Sequence, residues 1–168
     1  EAGEAAPPGA RDAAGTPGDL LATLRLAVAD VLPQAAARRI DIGLAEPQAT
    51  PLPTSTAESS ALRTVLRNLL ENAVKYSPEG GRVDLALHAD PQGRAAIVID
   101  DSGPGIAPGE RERVFDRFYR SPDLATQAPG SGLGLAIVRT LAQRQGIAIA
   151  LDDAPGGGLR VTLTLPPG

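Results

Sequence analysis

The chain has 168 residues, 42% of them hydrophobic, which suits one globular domain with a sizeable core. It contains no cysteine, so disulfides, thiolate catalysis and cysteine-based zinc sites are excluded and a reducing compartment is compatible; its net charge of −4 argues against a general nucleic-acid binder, so any anion site is local. No apolar run approaching the roughly 20 residues of a membrane helix stands out and no signal-peptide pattern opens the chain, so the expectation is a soluble piece without direct membrane contact.

Residues 1–18 are rich in Ala, Gly and Pro without hydrophobic period, and read as a linker remnant or disordered tail ahead of a domain spanning 19–168. Asp19 is a plausible N-cap for a helix from about Leu20 to Arg38, with Leu20, Leu21, Leu24, Val28, Val31 and Leu32 facing a core. Pro33 is expected to bend or end its regular part. Ile40, Ile42 and Leu44 alternate as in a half-buried strand, and the Pro-containing stretch after them reads as loop.

Residues 61–80 gather the residue types that are scarce elsewhere. Asn68 and Asn72 are the only asparagines, Lys75 is the only lysine, and Tyr76 is one of two tyrosines. At about 100° per residue, Leu62, Val65, Leu66, Leu69, Leu70, Ala73 and Val74 form one apolar arc. Asn68, Asn72, Lys75 and Tyr76, spaced i, i+4, i+7 and i+8, form a second stripe along its edge. Amide oxygens suit a Mg²⁺ ion that already carries phosphate ligands, a lysine suits phosphate, and a tyrosine offers a face for a base. The plainer alternative is an amphipathic helix whose polar edge happens to be amide-rich.

Pro78, Gly80 and Gly81 stop that helix, and Val83, Leu85 and Leu87 then alternate as a strand. Pro91 to Gly93 is a turn leading to a strand at Ala95–Ile99, which predicts an antiparallel hairpin. His88, the only histidine, falls on the face opposite Val83, Leu85 and Leu87 and reads as a solvent-facing strand residue. Asp101-Ser-Gly103-Pro-Gly105 is a tight turn that holds a carboxylate while bringing backbone close to a ligand, for which an adenine amino group is a natural partner; an ordinary turn is the other reading.

Residues 114–120, VFDRFYR, hold three of the four aromatics, a placement better suited to a lid than to a core. Arg117 or Arg120 could reach a phosphate from there, or form a surface ion pair. Residues 121–129 are small, polar and expected to be mobile. Gly130 to Leu135, GSGLGL, opens a helix that stops at Gly146, and glycines at a helix start let backbone N–H groups face an anion. Strands at Ile147–Leu151 and Leu159–Leu165 flank a Gly156–Gly158 turn and are expected to complete an antiparallel sheet.

Asn68-Leu-Leu-Glu-Asn72-Ala-Val-Lys75-Tyr76, Asp101-Ser-Gly103-Pro-Gly105, Phe115-Asp-Arg117-Phe118 and Gly130-Ser-Gly132-Leu-Gly134-Leu resemble, in order, the N, G1, F and G2 boxes of sensor histidine kinases. The resemblance covers residues 19–166. It implies an α+β fold, the two-layer α/β sandwich called the Bergerat ATP-binding fold, with a mixed, mostly antiparallel sheet of about five strands backed by three helices. It also implies ATP and Mg²⁺ as ligands, Mg²⁺ on Asn72 with Asn68 assisting. Asn68, Lys75 and Arg117 become the residues nearest the chemistry, with Lys75 at the phosphates. Tyr76 would stack near adenine and Asp101 would bind its amino group. Gly103, Gly105, Ile106, Phe118, Gly130, Gly132, Leu133, Gly134 and Leu135 complete the nucleotide set.

A complete histidine kinase also carries a dimerisation helix pair with the phosphoacceptor histidine, and no histidine precedes His88 here. The resemblance therefore implies a fragment that works with the dimerisation/histidine-phosphotransfer domain of its parent kinase and with a response regulator. It implies a cytoplasmic domain of an inner-membrane-anchored receptor kinase, with no nucleic-acid partner. Two rivals stay open. A gyrase- or chaperone-type ATP hydrolase places a catalytic glutamate one turn before the metal-binding asparagine, where this chain has Asn68, and Glu71 is rotated about 100° from Asn72. A nucleotide-sensing module without catalysis would carry the same binding residues.

Overall fold

A computed structural model gives the architecture, and the structure describes residues 19–47, 52–103, 133–155 and 157–168. Among these lie three helices, α1 (Asp19–Ala37), α2 (Ser59–Tyr76) and α3 (Leu133–Gln145), and five strands, β1 (Asp41–Leu44), β2 (Arg82–Ala89), β3 (Ala95–Asp101), β4 (Ala148–Asp153) and β5 (Leu159–Thr164). The strands form one sheet in the order β1-β2-β3-β5-β4. β1 runs parallel to β2 and every other pairing is antiparallel, so the sheet is mixed as expected.

Alternation decides which face of the sheet is covered. The register sets Leu85 against Ile99 and Val161, and Leu87 against Ile97 and Leu163. All six are buried, and the helices pack over them with α2 between α1 and α3. The apolar arc read from the sequence is the buried face of α2, joined by Ala61. On the other face Arg160 donates two 2.7 Å hydrogen bonds to the Asp100 carboxylate, and His88 stands exposed opposite Ala96, as its parity required.

Three expectations about the first helix need correction. Leu32, expected to face the core, is exposed, because it lies next to Pro33 on the side of the helix away from Val31 and Ala35. Pro33 does not end α1, which continues four residues further to Ala37. Pro33 and Ala29, whose carbonyl loses its N–H partner, both lie on the exposed side, while Val31 and Ala35 anchor the opposite side in the core. Leu20–Ala37 is also long and apolar enough to cross a membrane by length and composition, which the sequence reading missed. In this fold the stretch packs instead: Leu20, Leu24, Ala27, Val31 and Ala35 are core residues, and Asp30 accepts two 2.8 Å bonds from Arg63 of α2.

α1 stops in a Schellman turn. Ile40 N–H bonds Ala35 O, Arg39 N–H bonds Ala36 O, and Arg39 takes a φ of 57°. Ile40, the first residue of the predicted alternation, is therefore a buried cap residue, and β1 starts one residue later, at Asp41. α3 stops in the same way, with Gly146 at φ 71° and Ile147 N–H on Ala142 O, which is the stop predicted at that glycine.

Candidate functional site

Asn68, Asn72, Lys75 and Tyr76 are all half-buried along the edge of α2, beside its fully buried arc. Asn68 donates from Nδ2 to Thr64 O at 2.9 Å, which ties its amide to its own helix and leaves the carbonyl oxygen Oδ1 as the outward group. The side chains of Asn72, Lys75 and Tyr76 have no hydrogen-bond or ion-pair partner among the described residues. Two amide oxygens and an ammonium along one helix edge, without partners among the described residues, suit a metal-bound polyphosphate: Mg²⁺ takes few protein oxygens and keeps phosphate ligands. No cluster of three or more His, Cys, Asp or Glu residues fit for a metal occurs among the described residues.

Asp101 closes β3 beside the end of that stripe. Its Oδ1 accepts the backbone N–H of Gly103 at 2.9 Å and of Leu159 at 3.1 Å, while Oδ2 accepts nothing among the described residues. Burial pushes the Asp101 carboxyl above the ordinary aspartate range; the two N–H bonds oppose that shift and the neighbouring Asp100 charge adds to it. The result is an oriented carboxylate with one acceptor oxygen available to an amino group.

Glycine makes the junction possible. A Cβ on Gly103 would lie 2.9 Å from Tyr76 O and 3.2 Å from Asp101 Oδ1, so the turn after Asp101 fits against the last residue of α2 only without a side chain. Ser102 adds a second tie: its N–H donates to Arg82 O at 3.1 Å, and its Oγ accepts from Arg82 N–H at 2.9 Å. A cavity of about 350 Å³ at this end of the sheet is lined by Asp100 to Gly103, Arg82, Asp84 and Gly158; Arg82, Asp84 and Asp100 belong to the face away from the helices, and no described residue of α2 lines it.

The structure thus seats the Asp101 turn against Tyr76, the last residue of the polar stripe on α2. Leu133 and Gly134 lie in the first turn of α3, and Leu135 packs, partly buried, against the core. Gly105, Ile106, Arg117, Phe118, Gly130 and Gly132 lie outside the described residues, as do the predicted lid and most of the glycine-rich cradle. Three participants escaped the sequence reading: the Leu159 N–H, the Ser102 hydroxyl and Arg38. The first two have no sequence signal. Arg38 had only a weak one, a cation at the predicted end of a helix.

A five-stranded mixed sheet backed by three helices, with a carboxylate turn seated against an amide-bearing helix, defines the ATP-binding domains shared by certain kinases and ATPases. The chain belongs to the family described as histidine kinase-, DNA gyrase B-, and HSP90-like ATPase, which matches residues 57–168. Within it, 113 residues (65% of this chain) are 49% identical to the signal transduction histidine-protein kinase/phosphatase MprB of Mycolicibacterium smegmatis, of which they span 23%. A solved mycobacterial sensor histidine kinase MprB superposes with a TM-score of 0.73 at 34% identity, covering 88% of this chain and 94% of that one. Full-length ShkA, solved in complex with AMPPNP, gives 0.75 at 35% identity over 91% of this chain and 31% of its own. The chain is a catalytic, ATP-binding domain of the sensor histidine kinase type and spans less than a quarter of the curated relatives it matches.

Proposed function

We propose that the domain binds MgATP along the polar edge of α2 and donates the γ-phosphate to a histidine on a separate dimerisation/phosphoacceptor domain of its parent kinase. The observation that carries this reading is Asp101, pinned through Oδ1 by two backbone N–H groups, beside the edge of α2 that bears Asn72, Lys75 and Tyr76; among the described residues neither Oδ2 nor those three side chains have a partner. Asp101 takes the adenine amino group and Tyr76 packs near the base. Lys75 meets the phosphates, while Asn72, assisted by Asn68, holds Mg²⁺ through amide oxygens. The ion supplies charge neutralisation on the phosphates, and positioning does most of the remaining work in phosphoryl transfer. Gly103, Gly105, Ile106, Phe118, Gly130, Gly132, Leu133, Gly134 and Leu135 are assigned to the nucleotide pocket, and Arg117 to the phosphates, on the motif resemblance. By the same resemblance the domain spans 19–168 after a linker at 1–18. Its parent kinase is membrane-anchored with this domain in the cytoplasm, and it signals to a response regulator.

Hydrolysis is the weaker reading. Asn68 stands where the hydrolases of this family need a carboxylate base, and Glu71 lies a third of a turn away from Asn72. His88 is no phosphoacceptor in this reading, being exposed on the outer face of β2, the face opposite the helices.

Incubating the chain with γ-labelled ATP, Mg²⁺ and a supplied dimerisation domain tests the proposal. Acid-labile label is expected on the partner's histidine and none on the chain alone. Inorganic phosphate release without transfer would make it a hydrolase, and binding without either reaction would make it a sensor. Label on the chain alone that vanishes in His88→Ala would overturn the division of labour.

A further inference from the structure

We propose that Arg38 is a positioning residue for the nucleotide site, fixing the backbone that carries Lys75 and Tyr76 and linking it to the end of α1. This rests on the functional reading above. Pro78 interrupts the hydrogen-bond ladder at the end of α2. In a helix that continued past Tyr76, the carbonyl of Val74 would receive the N–H of residue 78, and proline has none. Ser77 N–H still reaches Ala73 O at 3.1 Å, so Val74 O is the first carbonyl left without a donor from its own chain segment. The guanidinium of Arg38 supplies that donor from 36 residues away, with Nε on Val74 O at 3.1 Å. Its Nη2 reaches Ser77 O at 2.5 Å.

The two bonded carbonyls bracket Lys75 and Tyr76. On another side the Tyr76 carbonyl lies against Gly103, where there is no room for a Cβ. Arg38 also accepts Gly80 N–H on its own carbonyl at 3.1 Å, so both ends of the residue hold the α2–β2 connection. Arg38 directly follows α1, within its Schellman turn, and it is half-buried. A planar fork that satisfies two carbonyls at once is a task for arginine; the compact ammonium of lysine meets one at a time. A shift at the end of α1 is therefore delivered to the backbone of Lys75 and Tyr76, the residues assigned to phosphate and base.

The test measures MgADP affinity at a temperature well below each protein's melting point, with circular dichroism confirming the fold. Arg38→Met is expected to weaken MgADP about tenfold, the scale of two charge-assisted bonds partly replaced by water. Arg38→Lys keeps one bond and is expected to lose about a third of that effect or more. Asp30→Ala removes another polar link between α1 and α2, the pair with Arg63, far along both helices from Lys75; it is expected to lower the Tm and leave MgADP affinity unchanged. Arg38→Met with unaltered affinity would overturn the inference, as would an equal loss in Asp30→Ala, which would mean general loosening. Should Arg38→Met not fold, unaltered affinity in Arg38→Lys overturns it. A parent chain that binds no adenine nucleotide removes the functional reading itself, a different outcome from a parent that binds and an Arg38 variant that binds equally well.

Discussion

The backbone N–H of Leu159 donates to Oδ1 of Asp101 at 3.1 Å, joining residues 58 apart in sequence. Together with the Gly103 N–H it fixes which oxygen of the carboxylate is spoken for. In Asp101→Asn those two N–H groups hold the amide oxygen, so the amide NH₂ takes the outward place and faces a ligand amino group donor to donor. Adenine nucleotide binding is expected to fall sharply at every pH.

The same substitution is expected to raise the Tm of the ligand-free protein at pH 7. Burial lifts the Asp101 carboxyl above its unfolded value, so the folded state binds more protons than the unfolded one between the two pKa values. Stability is then greatest below the ordinary aspartate pKa, about 3.9, and declines as pH rises through the folded pKa. Asparagine has no such decline, so the advantage of Asp101→Asn should be present at pH 7 and vanish below about pH 4. A lower Tm for the variant at pH 7 would mean that the carboxylate is net stabilising.

Gly157 and Gly158 look alike in sequence and differ in space. Both have positive φ, 98° and 89°, but a Cβ on Gly157 meets nothing within 4 Å, whereas one on Gly158 runs into the carbonyl of Asp101. Gly157→Ala is expected to cost about 1 kcal/mol, the left-handed backbone penalty alone. Gly158→Ala should cost more, by chemical denaturation, and should also weaken nucleotide binding because the displaced group belongs to Asp101. Equal costs at the two positions would show that the turn yields at Asp101.

Arg39 and Gly146 occupy the same position in two copies of one helix stop, at φ 57° and 71°. Only the second is the residue that position favours. The Arg39 side chain is exposed and reaches Glu79 no closer than 4.0 Å, a contact of little worth. Arg39→Gly is expected to stabilise the domain by about 0.5–1 kcal/mol, read as a higher denaturation midpoint with unchanged slope.

Ser77 is 1% exposed, and its hydroxyl has no hydrogen-bond partner among the described residues. Ser77→Ala removes an unsatisfied buried group and is expected to stabilise by about 1 kcal/mol. Because Arg38 holds Ser77 by its backbone carbonyl, nucleotide affinity should be unchanged. A destabilised variant would point to an internal water on that hydroxyl.

Periodic features were legible in the amino-acid sequence because they depend on neighbours within two turns of helix or a few strand residues. The buried arc and polar stripe of α2, the alternation that buries Leu85 and exposes His88, and the Gly146 stop all belong to this class. Four short boxes in order were enough to place the chain in its family. Partner choice across the fold was not legible. That Pro33 sits inside α1 follows from the core on its opposite side, and that β1 lies parallel to β2 follows from how α2 crosses between them. Tertiary structure alone decided that Leu159 orients Asp101 and that Arg38 replaces the N–H missing at Pro78, because a hydrogen bond between residues 58 or 36 apart leaves no local pattern; it exists only once packing has brought the two backbones together.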